Sequence, residues 1–236
     1  MQLPSLTAPA RRAAALAAAL GLAVAGASAW AQPGATYLEV GLRGGIMNYQ
    51  GDVQPGLFAA AGNRVSYGGL LRYSIGNKLA LRAQVEAGEI AATDAENDNE
   101  RSRTRGISFE APVVAAELLL EVLPLGQDRY SNGYTVRQLN PFAYVGAGYA
   151  HVDAEVASTN GFFANRLPEV GDHDDFLTVA VGGGLRYDID YGLAVTAEGI
   201  TRAMLSDYAD GVSENGNPLL DDWVWSLGLT VSYTFD

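Results

Sequence analysis

The stretch Trp223-Val-Trp-Ser-Leu-Gly-Leu-Thr-Val-Ser-Tyr-Thr-Phe235 decides the fold. Trp223, Trp225, Leu227, Leu229, Val231, Tyr233 and Phe235 are large and apolar, while Ser226, Gly228, Thr230, Ser232 and Thr234 between them are small or polar. Alternation with period two over this length specifies a β-strand with one apolar and one polar face. Aromatic residues at both ends of the apolar face, with aliphatic ones in its middle, match a strand that crosses a bilayer. A lone strand cannot sit in hydrocarbon, because its backbone donors and acceptors would be unpaired. The rest of the chain must therefore close a barrel with it.

Seven further stretches read as strands: 37–47, 65–75, 78–90, 106–123, 142–151, 176–187 and 191–202. Gly76-Asn77 reads as a two-residue hairpin turn. In 106–123 the large residues change phase between Phe109 and Leu118, which predicts a bulge near Ala111-Pro112. A second drift is read before Arg202, and the facing of 142–151 stays open. Ser131-Asn132-Gly133-Tyr134 is a hairpin signal, and it predicts that the strands on either side continue as a short ribbon. The expected fold is all-β: an eight-stranded antiparallel up-and-down transmembrane β-barrel, even in strand number as single-chain bacterial barrels are.

Connections after the first, third, fifth and seventh stretches are long (48–64, 91–105, 152–175 and 203–222), so long loops gather at one end. With strands running up and down, two aromatic girdles are expected. Tyr37, Tyr73, Phe142, Tyr144, Tyr187, Tyr191, Tyr233 and Phe235 fall at the short-turn end; Tyr49, Tyr67, Phe109, Phe176, Trp223 and Trp225 fall at the loop end.

The polar faces carry Glu39, Arg43, Arg72, Arg82, Glu86, Glu117, Glu121, Arg186, Glu198 and Arg202. A soluble barrel with apolar residues inside has the same period. The girdles, the closing strand and these balanced charges favour apolar outside and charges inside. Lys78 is the only lysine; arginine suits an internal network because its planar fork satisfies carboxylates on two edges. Eight strands leave a bore just wide enough to be filled by side chains, so the expected interior is plugged, with every charge paired. The surplus negative charge then lies on two loops. One carries Asp172, Asp174 and Asp175, the other Asp207, Asp210, Asp221 and Asp222.

Arg11 and Arg12, an apolar run from Ala13 to Val24, and Ala29-Trp30-Ala31 form the pattern of a secretory signal peptide cut after Ala31. Residues 1–31 are thus expected to be a leader and 32–236 a single barrel domain. The chain has no cysteine, which excludes disulfides and thiol chemistry. In residues 94–105, Asp94, Glu96, Asp98 and Glu100 are followed by Arg101, Arg103 and Arg105, both signs at period two, which reads as a self-complementary extension of the strands on either side.

The closing strand, ending on Phe235, resembles the last strand of bacterial outer-membrane barrels, whose terminal aromatic is recognised by the barrel-assembly machinery; here Asp236 follows it. The whole is similar to small eight-stranded barrels of OmpA/OmpX type. Asn48-Tyr49-Gln50-Gly51-Asp52 resembles an N-Y-x-G-D motif after the first strand of an uncharacterised family of small outer-membrane barrels, as do the positions of Phe109, Glu117, Glu121 and Pro141–Gly148. The resemblance implies a Gram-negative outer-membrane location with periplasmic termini, contact with membrane lipid and lipopolysaccharide, and no assigned activity.

An enzyme would need a nucleophile beside a base. Only His151 and His173 are present. His151-Val-Asp153 places two polar groups on one face, without the serine two residues after the histidine that lipid A deacylases carry. His173-Asp174-Asp175 has the residue types of outer-membrane proteases, which are ten-stranded. The acidic loops offer carboxylates suited to divalent cations but no spaced ligand pattern. The reading is a structural or surface-interaction barrel with acidic loops, no cofactor and no nucleic-acid partner. A lipid A-modifying enzyme and a narrow channel are the alternatives.

Overall fold

A computed structural model of the chain describes residues 37–50, 62–93, 107–126, 139–153, 155–158, 175–189, 192–205 and 223–235. The expected leader, residues 94–105, the Ser131–Tyr134 turn, His173 and the acidic residues Asp172, Asp174, Asp207, Asp210, Asp221 and Asp222 lie outside them.

The strands are β1 (Leu38–Gln50), β2 (Arg64–Ile75), β3 (Leu79–Thr93), β4 (Ile107–Val122), β5 (Leu139–Val152), β6 (Glu155–Ser158), β7 (Asp175–Asp188), β8 (Leu193–Met204) and β9 (Trp223–Phe235). Each pairs antiparallel with its neighbours in the order β3-β2-β1-β9-β8-β7-β5-β4, and the β3–β4 pairing closes the ring. β6 prolongs β5: both lie on β4, in one unbroken register from Val122↔Ala143 to Ile107↔Ser158. The barrel therefore has eight staves. The gap between β5 and β6 lies opposite Pro112, which has no N–H to offer and accepts from Asp153 N through its carbonyl at 3.3 Å.

The paired residues set the tilt. The row Leu38, Tyr73, Leu81, Leu120, Val145, Val181, Thr201, Trp225 returns to β1 at Asn48, ten residues beyond its start. A closed ring with this stagger has strongly tilted strands.

The alternation holds in one phase along every stave. β4 has no bulge at Ala111-Pro112: its register is continuous against β3 and against β5–β6, and Phe109, Ala111, Val113, Ala115, Glu117, Leu119 and Glu121 all face inward. The drift read before Arg202 is likewise absent, since Thr196, Glu198, Ile200, Arg202 and Met204 share the inner face of β8. The hairpin after β2 is a three-residue loop, Gly76-Asn77-Lys78, because Ile75 pairs with Leu79. Gly76 opens it at φ 70°, which a side chain would disfavour. β5 faces Phe142, Tyr144, Ala150 and Val152 inward.

The outer face is an uninterrupted apolar belt. Leu42, Val65, Tyr67, Val145, Leu177, Val181, Leu229, Val231 and Tyr233 are each more than half exposed. Soluble proteins rarely expose contiguous apolar surface on this scale, and hydrocarbon is the solvent that fits it. The girdles need correction. Tyr67 and Trp223 face out at the loop end, and Tyr187, Tyr233 and Phe235 at the other. Tyr49, Phe109, Phe176, Phe142 and Tyr144 are instead buried in the lumen, and Trp225 keeps the outward parity but is nearly inaccessible.

Candidate functional site

All ten charged residues read from the sequence as luminal are buried, none more than 7% exposed. They form two chains of alternating sign. The first runs Arg82–Glu198–Arg43–Glu86–Arg202–Glu117. Arg82 holds Glu198 with two parallel bonds, 2.6 and 2.8 Å, and lies 5.0 Å over the ring of Tyr144. Hydroxyls and one amide take the lone pairs left over: Thr230 donates to Glu198 at 2.7 Å, Ser226 to Glu86 at 3.0 Å and Gln84 to Glu117 at 2.6 Å. The second chain, nearer the termini, runs Glu121–Arg72–Glu39–Arg186–Asp188. Its links measure 2.7, 3.4, 2.5 and 2.9 Å.

Asp188 is the member that sequence reading missed. It falls between the stretches read as strands, 176–187 and 191–202, yet its parity with Arg186 puts it on the inner face, 2% exposed. The first chain is neutral; Asp188 leaves the second with one surplus negative charge. Between the chains, Glu39, Arg72, Arg82, Glu121 and Arg186 border a cavity of about 10 Å³, room for roughly one water.

Backbone makes space for these bulky heads. A Cβ at Gly228 would press on the Arg43 guanidinium at 3.1 Å, and one at Gly182 would meet the Tyr144 ring at 2.6 Å.

Above the ions, toward the long-loop end, the lumen changes character. Met47, Tyr49, Ile90, Phe109, Val113, Val152, Phe176, Met204 and Val224 form one buried cluster with intervening alanines. On the staves that carry both, these residues lie on the loop side of the charged ones: Met47 beyond Arg43, Ile90 beyond Glu86, Met204 beyond Arg202. Tyr49 of β1 meets Phe109 of β4 edge-on, ring centroids 4.9 Å apart, although two staves, β2 and β3, lie between them around the wall. The bore is filled at this level too.

Just above the apolar belt, the outer face carries His151, Asp153 and Asp175. His151 Nδ1 lies 2.9 Å from Asp175 Oδ1 on the neighbouring stave. Asp175 is thus the first residue of β7, where a loop position was expected. Asp153 is also exposed on this face. Among the described residues no group of three or more histidine, cysteine or acidic side chains is disposed to hold a metal.

Among curated proteins, none matches the chain. Of the solved structures, OprG of Pseudomonas aeruginosa aligns with a TM-score of 0.47 and 14% identity over 85% of this chain and 96% of its own. Neisserial surface protein A aligns at 0.45 and 11% over 84% and 97%. Ail of Yersinia pestis, in complex with the heparin analogue sucrose octasulfate, aligns at 0.43 and 11% over 86% and 100%. At these scores they add no argument about activity, and the barrel stands on its own strand pairing. A family model described as a domain of unknown function, DUF6089, matches residues 22–236, and the chain belongs to that family.

Proposed function

We propose that the protein is a sealed outer-membrane barrel of structural or surface-interaction type, exported with a cleaved leader, its termini in the periplasm and its acidic loops outside. One observation carries the reading: the lumen is closed twice in series, by paired ions and by an apolar plug. A conducting pore needs a wetted path, and an apolar constriction opposes wetting. The outward belt supports residence in a bilayer, and the barrel class itself favours the outer membrane. Contact with lipopolysaccharide, delivery by the barrel-assembly machinery and divalent cations at the acidic loops belong to the same proposal.

Reconstituted protein should give liposome swelling equal to protein-free controls and no steady single-channel openings. Openings in the unmodified protein would defeat the reading. Deleting the gene should sensitise cells to detergents and bulky antibiotics if the role is mechanical support; unchanged sensitivity would leave surface interaction as the surviving form. The His151–Asp175 pair favours one second reading, a lipid-modifying enzyme. A mass change in lipid A between cells with and without the protein would establish it.

A further inference from the structure

Two of the arginines that border the cavity between the ion chains have a donor left over. Arg82 spends both terminal nitrogens on Glu198, and its Nε–H meets no partner among the described residues. Arg186 gives Nε to Asp188 and Nη1 to Glu39, and its Nη2 is likewise unpartnered among them. Each residue is only 3% exposed, so bulk solvent does not satisfy these donors. A buried donor left without an acceptor is costly. An acceptor stands on the same cavity. Both Arg72 bonds to Glu121 end on Oε1, which leaves Oε2 to accept. The Thr196 hydroxyl, also on the lining, can donate or accept. These four groups come from four staves, β3, β7, β4 and β8. The volume they enclose is about 10 Å³, the room one water needs.

We propose that one water molecule is bound here as a fixed part of the fold, accepting from Arg82 Nε and Arg186 Nη2 and donating to Glu121 Oε2 and Thr196 Oγ1. Polarity decides the occupant. Two N–H donors, one carboxylate oxygen and a hydroxyl are the complement of a molecule with two lone pairs and two hydrogens. A halide would face the carboxylates of Glu39 and Glu121, and a metal cation would face three guanidinium groups. The water also has a structural consequence. Arg82 belongs to the first ion chain, Arg186 and Glu121 to the second, and the ion pairs given above each stay within one chain. The water supplies the link, so the two chains respond to mutation as one network. The inference rests on the sealed lumen proposed above, since a wetted bore would hold many waters.

The test is a crystal structure of the full-length protein at a resolution that shows ordered water, from crystals grown with bromide in place of chloride. One spherical peak without anomalous signal should lie within about 3.2 Å of Arg82 Nε, Arg186 Nη2 and Glu121 Oε2. Thr196→Ile replaces the hydroxyl with apolar bulk at the cavity and should remove the peak. Stability gives a second readout. Arg82→Met and Arg186→Met should combine non-additively in urea unfolding from lipid vesicles. Measured in the Thr196→Ile background, that coupling should change by about fivefold in the unfolding constant. Should Thr196→Ile not fold, Thr196→Val, of nearly the native shape, takes its place and should shift the coupling in the same direction. An anomalous peak, no peak in the unmodified protein, or a coupling that the Thr196 variant leaves unchanged would each overturn the proposal. If the site shows no peak in a barrel that does not conduct, the sealed lumen still stands. A file of waters through the apolar plug, with channel openings, would defeat both.

Discussion

Arg202 and Met204 stand two residues apart on the inner face of β8, both wholly buried, and they close the same tube by opposite means. Around Arg202, closure is ionic and directional. Its guanidinium reaches Glu117 and Glu86, and it donates to Ser226 Oγ at 3.1 Å. Around Met204, closure is apolar packing, with no geometry to satisfy beyond volume. The ionic layer gains little net stability from existing, because desolvating the charges offsets their attraction, but it loses much when one member is removed. The plug gains from existing, and it loses in proportion to the void a truncation leaves. The contrast teaches that one bore needs two rules for reading a mutation.

The largest effect should come from Arg202→Ala. It leaves Glu117 with only the Gln84 amide and Glu86 with a single arginine, and should cost about 3–5 kcal/mol in urea unfolding from lipid vesicles. A cost near zero would mean that water reaches the ions and the layer is not sealed. Met204→Ala should cost about 2–5 kcal/mol, whereas Met204→Leu should stay under about 1.5, because only volume matters there. If the leucine variant is as damaged as the alanine one, the plug depends on side-chain shape and not on volume alone. Replacing both members of a pair, Arg82→Met with Glu198→Leu, should damage stability less than Arg82→Ala alone, since no charge is orphaned. The test is a double-mutant comparison, with Arg43 and Thr230 the partners left to readjust. The smallest effect belongs to Arg64→Ala. Its bridge to the exposed Glu110 lies outside both layers and should contribute about 0–1 kcal/mol, falling further at high salt.

How legible this was in the sequence follows from the same contrast. Where one face is charged and the other aliphatic, as in Leu81-Arg82-Ala83-Gln84-Val85-Glu86, period two is plain, and all ten charged positions fall on the inner face as read. Where both faces are apolar, the period vanishes. Ala111-Pro112-Val113-Val114-Ala115-Ala116 carries no contrast, so phase could not be followed through it, and a bulge was inferred between Phe109 and Leu118 that the register does not contain. The aromatic girdle at the loop end failed for the same reason. Tyr49, Phe109 and Phe176 look like bilayer anchors by residue type, yet parity with Arg43, Glu117 and Thr178 turns them inward. Asp188 was missed because an acidic residue at a strand end next to Ile189 and Asp190 has the composition of a turn. The pairing of His151 with Asp175 was unreadable, since it depends on the register of two staves separated by a long loop.

The alternating ion chains also set an order of events for assembly. Arg43 on β1 links Glu86 on β3 to Glu198 on β8, and Arg186 on β7 reaches Glu39 on β1, so both chains are completed only across the seam where β1 meets β9. Until that seam closes, a half-curled sheet carries unmatched charges on its concave side and resists surrendering them to hydrocarbon. A seam closed one residue out of step would turn one strand's inner residues toward lipid. The register that pairs β1 with β9 is thus the one in which these ions meet, and one residue of slip would leave charges unpaired on the wrong face.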